Sequence, residues 1–121
     1  MPVLEIDTNV PQEKITPEVV QNLTKLLSEM LGLGLEWFPV VFRPNPLMMW
    51  GGTSEPCAVC RLTSVNNIDE EANRKHTEKL FNFMKEHLGI PGNRMYILYT
   101  SPSADDVGHK GVLISDLRKA K

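Results

Sequence analysis

One arrangement occurs twice in this chain, and it restricts the fold more than any other feature. A strand-like stretch, a capped amphipathic helix, a glycine stop and a second β-rich stretch fill residues 3–42, and the same order returns over residues 58–99. In the first unit Val3-Leu4-Glu5-Ile6-Asp7-Thr8 alternates apolar and polar residues, the period of a half-buried strand. Thr16-Pro17-Glu18 then offers an N-cap, a proline at the first helical position and an acid in the first turn. Val20, Leu23, Leu26, Leu27, Met30 and Leu31 follow at helical spacing, Gly32 stops the helix, and residues 38–42 read as a strand. In the second unit residues 58–65 read as a strand and residues 69–88 as a helix with Leu80, Phe81, Met84 and Leu88 on one side. Gly89 and Pro91 end that helix, and residues 95–99 form the last strand.

Laid over each other, the units match Val3 with Val59, Thr8 with Ser64, Leu31-Gly32 with Leu88-Gly89, and Val40 with Ile97. Each unit is thus a β-α-β motif, a parallel strand pair joined by a crossover helix. The predicted class is α/β, or α+β: two β-α-β pseudo-repeats forming a four-stranded sheet with two helices on one face, plus short edge strands. The other face of the sheet is left bare, and in a chain this short the expected cover is another copy of the same chain. Leu47 to Trp50 and Val112-Leu113-Ile114 are short apolar stretches left over, expected to be edge strands that pair with neighbouring subunits.

The 121 residues suit one domain, expected over residues 1–114, with a basic C-terminal extension over 115–121 that is either a short helix or a solvated tail. Apolar residues make up 41% and charged residues 23%, the balance of a soluble globular protein. A net charge of -2 argues against nucleic acid or an anionic membrane as the main partner. The first residues show neither a basic region nor a long apolar run, so synthesis in the cytosol is expected. In that compartment Cys57 and Cys60 are expected to be reduced thiols.

The Cys-x-x-Cys spacing invites a redox reading, but redox pairs sit at helix starts, where the thiol pKa is low. This pair falls at the start of a predicted strand, where positions three apart face opposite ways. Their Cα atoms would lie about 10 Å apart, against about 5.5–6 Å in a disulfide. Two buried small apolar residues are the expectation. With His76, His87 and His109 scattered along the chain, the cysteines also make a poor zinc set, and no metal or cofactor is expected.

Pro2 directly precedes the first strand. If Met1 is removed, the Pro2 nitrogen becomes a secondary amine, and burial would push its pKa down from the ordinary α-amino range of about 7.7–8.0. A rigidly held base near neutral pH is what proton abstraction beside a carbonyl requires. Met-Pro is equally a common processing context with proline starting a strand, and the residues alone favour that plainer reading.

Further stretches carry a resemblance. The first strand runs from Met1-Pro2 to Asp7-Thr8-Asn9-Val10-Pro11; the middle reads GGTSEPCAVC from Gly51 to Cys60. The last strand carries Asn93-Arg94-Met95-Tyr96-Ile97, and Asp106-Val107-Gly108 follows. Over about the first 110 residues the chain resembles the family of macrophage migration inhibitory factor and D-dopachrome tautomerase. LEIDTN and Val41 to Pro44 lean towards D-dopachrome tautomerase, and CAVC towards the inhibitory factor. The resemblance implies a homotrimer whose sheets wrap a central channel, with keto-enol tautomerase sites between subunits and an N-terminal proline as general base, the role that falls to Pro2. It also implies substrate-binding positions at Leu33, Trp37, Val65, Tyr96, Leu98, His109 and Lys110. Tyr96 matches the family residue. Leu33 stands where the family has a lysine for the substrate carboxylate, Leu98 where it has an asparagine, Trp37 where it has a tyrosine, Val65 where it has an isoleucine, and His109 where the inhibitory factor has a tryptophan. Lys110 or His109 is a candidate replacement for the missing lysine, and Leu33 and Leu98 also read plainly as core or subunit-interface residues.

Two functions are therefore expected. One is a phenylpyruvate- or dopachrome-type tautomerase acting on a small aromatic keto or enol substrate. The other is a cytokine-like ligand of a cell-surface receptor with a weak or vestigial pocket. The resemblance allows both in one protein, found in the cytoplasm and, without a signal peptide, outside the cell.

Overall fold

The strands and helices follow from local pattern, and one central pairing joins the two halves. The computed structural model describes residues 1–119. Strand β1 (Val3–Thr8) alternates half-buried and buried residues, with Leu4, Ile6 and Thr8 inward. Helix α1 (Pro17–Leu31) starts where the Thr16 hydroxyl accepts the Val19 N–H at 3.2 Å. Helix α2 (Glu70–Leu88) starts where the Asp69 carboxylate accepts the Ala72 N–H at 2.8 Å. Both end at a glycine in the left-handed region, Gly32 and Gly89 at φ 67°.

The sheet contains β2 (Val40–Pro44), β1, β3 (Ala58–Thr63) and β4 (Met95–Thr100), in that order across it. The pairs β1–β2 and β3–β4 are parallel, as two β-α-β units require. The inner strands β1 and β3 run antiparallel, with Leu4 opposite Leu62 and Ile6 opposite Cys60, and this pairing fuses the halves. Leu23, Leu27 and Leu31 of α1 and Leu80, Phe83, Met84 and Leu88 of α2 bury against Leu4, Ile6, Ala58, Cys60, Leu62 and Met95. Each such leucine contributes about 1.5–3 kcal/mol. Both helices cover one face, as the sequence pattern predicts.

Some details differ from that reading. On α2 the buried phenylalanine is Phe83, three residues after Leu80, while Phe81 is only half-buried. Strand β2 begins two residues late, because residues 35–37 wind into one 3-10 turn closed by the Phe38 N–H on the Leu35 carbonyl at 3.2 Å. Within one chain Leu47 to Trp50 adds no strand to the sheet. The Asn45 side chain caps a turn there by accepting the Leu47 N–H at 2.9 Å, and Trp50 bridges only to Thr53 of its own chain. Val112–Leu113 is a short strand, β6, paired within the chain with β5 (Gly108–His109). Ile114 leaves that strand, buries itself, and opens helix α3 (Ile114–Lys119). Its N–H donates to the Val107 carbonyl at 2.8 Å. The expected extension is therefore helical as far as residue 119 and continuous with residue 114; Ala120 and Lys121 lie outside the described residues.

The face away from the helices is not a simple apolar surface. Its middle is an ion network: the Arg43 fork holds Asp7 at 2.9 and 3.2 Å and Glu5 at 3.0 Å, and Arg61 reaches Asp7 at 3.0 Å. Val41, Tyr96 and Leu98 flank it, all exposed.

Candidate functional site

The start of β1 sits where several segments converge. Pro2 is under 2% exposed, directly ahead of the strand. The Leu4 N–H donates to the Pro39 carbonyl at 3.3 Å, which brings residues 35–39 beside it. On the other side Val3 pairs with Thr63. Continuing that antiparallel register sets Ser64 against Pro2 and Val65 against Met1. Leu33 is fixed at the end of α1, where its N–H donates to the Ser28 carbonyl at 3.3 Å and its own carbonyl accepts the Ser28 hydroxyl.

A cleft of about 290 Å³ opens at this point. Met1, whose carbonyl carbon is bonded to the Pro2 nitrogen, forms part of its wall together with Leu33, Trp37 and Lys110. His109 packs on Trp37, their ring centroids 5.2 Å apart. Lys110 and Gly111 form the two-residue turn between β5 and β6, both at positive φ, and this holds the lysine at the tip. Thus Leu33, Trp37 and Lys110 line one cleft, His109 packs on Trp37 behind it, and Val65 immediately precedes the cleft residue Asn66 in the chain. Tyr96 and Leu98 do not join them within one chain. They lie on β4 at the far edge of the sheet, 62% and 49% exposed on the helix-free face, and Tyr96 packs on Trp50 at 4.6 Å.

Four further cleft residues escape the sequence reading: Asn66, Ile114, Leu117 and Arg118. The signal was present in the spacing of Ile114, Leu117 and Arg118, an i, i+3, i+4 set that faces one way on a helix. The amine of Met1 is pushed below its ordinary pKa, first by burial and then by the positive charge of Arg118. A cation is therefore disfavoured at this end of the chain.

The Gly-Gly stretch gains a structural reason. Gly51 and Gly52, at φ 60° and 77°, form a turn that only glycine enters easily, closed by two backbone bonds between Trp50 and Thr53. Arg94 donates to the carbonyls of Trp50, Thr53, Glu55 and Pro56 at 2.9–3.1 Å. Asn9 donates to those of Met48, Ser54 and Glu55 and accepts the Cys57 N–H at 2.8 Å. Thr8 donates to the Cys57 carbonyl at 2.7 Å. The Thr8-Asn9, Gly51–Cys57 and Arg94 motifs are thus one clamp.

Both thiols are buried and free. Cys57 lies one residue ahead of β3, and the Cys60 thiol, packed at 3.9 Å from the Met95 sulfur, is pushed up to about 12 by burial and by Asp7. Thiolate is scarce at Cys60, which disfavours that sulfur as a nucleophile for disulfide exchange. Among the described residues no three His, Cys, Asp or Glu side chains gather as a metal-binding group. A second depression of about 420 Å³ lies between the ends of α1 and α2, with charged walls at Glu29, Asp69, Glu71, Lys75 and Lys79.

Two fused β-α-β units thus build one four-stranded sheet, with a cleft beside Met1 at the head of β1. Residues 1–115 match the macrophage migration inhibitory factor family, and the chain belongs to that family. It is 37% identical to the macrophage migration inhibitory factor homolog of Trichuris trichiura over 111 residues, 92% of this chain and 97% of that protein. It is 35% identical to macrophage migration inhibitory factor of Xenopus laevis, with 92% and 96% covered. The solved structure of the Trichinella spiralis factor superposes with a TM-score of 0.88 at 29% identity, covering 92% of this chain and 98% of that one.

Proposed function

We propose that this protein is a keto-enol tautomerase of the phenylpyruvate or dopachrome type, with the amine of Pro2 as general base once Met1 is removed. The observation that carries the reading is the position of Pro2: under 2% exposed, at a rigid strand start, beside a cleft walled by Leu33 and Trp37. The environment that lowers the Met1 amine would act on the Pro2 amine too, one residue deeper, by the same burial. The unprotonated amine takes a proton from the carbon beside the substrate carbonyl, and the ammonium so formed delivers it to the enolate oxygen; in the reverse direction the proton passes from the enol oxygen to the carbon. With Met1 attached the nitrogen is an amide without a basic lone pair, so processing is required.

The assembly that goes with this reading is a homotrimer. Exposed Val41, Tyr96 and Leu98 on the helix-free face, with Leu47 and Met49 in the adjoining turn, are apolar surface for a second copy to cover. The ion network in the middle of that face suits a water-filled channel. Tyr96 and Leu98 would then reach the cleft of a neighbouring subunit. A second reading, a cytokine-like receptor ligand with a weak pocket, acting outside the cell as well as residing in the cytoplasm, is favoured by one observation. Leu33 lines the cleft and brings no charge to it.

The test is turnover of 4-hydroxyphenylpyruvate and dopachrome methyl ester by protein shown by mass to lack Met1. Pro2→Ala and a Met1-retaining form should both lose about 10²–10⁴-fold in kcat/KM, the usual contribution of a positioned acid-base group. The acidic limb of the wild-type profile should lie below the ordinary amine range of about 7.7–8.0, because the base works only when unprotonated. Turnover unaffected by Pro2→Ala would refute the role; no turnover by any form would leave the receptor-ligand reading. Sedimentation at micromolar concentration should give three copies, and a monomer would refute the trimer.

A further inference from the structure

We propose that Arg118, carried by the C-terminal helix α3, is the anion anchor of the cleft, and that the cleft selects small aromatic carboxylates, in the keto or enol acid form, over their neutral analogues. The proposal deepens the reading of Pro2 and rests on it for the identity of the substrate. It stands on the composition of the cleft. Leu33, Trp37, Ile114 and Leu117 give apolar and aromatic walls, Lys110 and Arg118 give two cations, and among the described residues no acidic side chain lines it. Among the described residues neither Lys110 nor Arg118 makes an ion pair, whereas Arg43, Arg61 and Arg74 all do. A guanidinium without a carboxylate partner among the described residues, at the mouth of an aromatic cleft, fits an amphiphilic anion.

The fold delivers Arg118 there. Ile114, 5% exposed, anchors the first turn of α3. Leu117 and Arg118 follow three and four residues later, on the same side of the helix, and all three line the cleft. The charge of Arg118 is felt at the chain terminus, where it helps depress the Met1 amine. A ligand between the two would meet the Pro2 nitrogen at one end and the guanidinium at the other. Arginine is favoured over Lys110 as the main anchor because its planar fork meets both carboxylate oxygens at once. A ring lying on Trp37 and a carboxylate on Arg118 would leave the carbon between them facing the base.

Binding and turnover test this separately. Calorimetry with processed protein would compare 3-phenylpropionate, which cannot tautomerise, with 3-phenylpropionamide. Kinetics would compare 4-hydroxyphenylpyruvate with its methyl ester. Wild type should prefer the carboxylate in both. Arg118→Ala should cut that preference roughly ten- to hundredfold, mainly through KM, as loss of a charged hydrogen bond predicts. Arg118→Glu should abolish it, Arg118→Lys should keep part of it, and adding Leu33→Lys to Arg118→Ala should restore it from the opposite wall. Circular dichroism identifies any variant that fails to fold, and the lysine variant then decides. A wild type without carboxylate preference in binding overturns the proposal, as does a preference that survives Arg118→Glu. If 3-phenylpropionate binds in an Arg118-dependent way but nothing turns over, the anchor stands and the proline base falls.

Discussion

Arg94 allows the clamp on the Gly51–Cys57 loop to be tested with a magnitude. Its guanidinium donates to four backbone carbonyls: Trp50, Thr53 and Pro56 at 3.1 Å and Glu55 at 2.9 Å. The bonds to Trp50 and Pro56 are part-buried, and those to Thr53 and Glu55 are exposed. A hydrogen bond from a charged donor contributes about 1.5–3 kcal/mol when water cannot replace it, and far less when it can. Counting only the two part-buried bonds gives about 3–6 kcal/mol. Ordering the arginine costs up to about 2 kcal/mol of rotamer entropy. Arg94→Ala should therefore lose about 1–4 kcal/mol of stability. The loop should stay in place, because Asn9 still holds the Met48, Ser54 and Glu55 carbonyls. Arg94→Lys should recover under half, since one ammonium cannot span four carbonyls. Urea unfolding followed by fluorescence, at one protein concentration so that assembly adds no hidden term, measures the loss directly. A double-mutant cycle with Asn9→Ala should show coupling of about 0.5–3 kcal/mol through the shared Glu55 carbonyl. An Arg94→Ala protein within about 0.5 kcal/mol of wild type would refute the clamp and return these bonds to ordinary surface contacts.

Two further outcomes follow from the ionisable groups. The Asp7 carboxylate is held below its ordinary pKa chiefly by the hydrogen bond from Arg43, with burial opposing and the charges of Arg43 and Arg61 adding to it. Its folded pKa is depressed, so the stabilisation is present above the unfolded value of about 3.9 and lost as pH falls through the folded one. Urea midpoints from pH 6 to 2.5 should converge for wild type and Asp7→Asn at the acid end; parallel curves would contradict the pairing. Cys60, 1% exposed with its thiol pushed up to about 12, should resist a thiol reagent at pH 8 for hours in the native protein and react once urea is added. Rapid native labelling at Cys60 would overturn the account of its burial.

The two β-α-β units were legible because their signals are local. Thr16 and Asp69 announce helix starts, Gly32 and Gly89 their ends, and period-two alternation marks β1. The same locality limits what the short apolar stretches reveal. Leu47 to Trp50 has strand-like residues, but Asn45 and the Gly51-Gly52 turn take the backbone elsewhere. Val112 and Leu113 form a short strand, and a two-residue turn that apolarity does not announce sets them against Gly108 and His109 of their own chain.

The site divides in the same way. The sequence by itself determined Pro2 at the head of a strand, the loss of charge at Leu33 and the aromatic at Trp37, because these are matters of residue type and position. Only the tertiary structure decided that Leu33, Trp37, Lys110 and Arg118 share one cleft with the chain terminus while Tyr96 and Leu98 lie on the far edge of the sheet. The reason is distance along the chain. Arg118 and Met1 are at opposite ends of it, and no periodicity or cap records that a hairpin and a short helix fold one end back over the other.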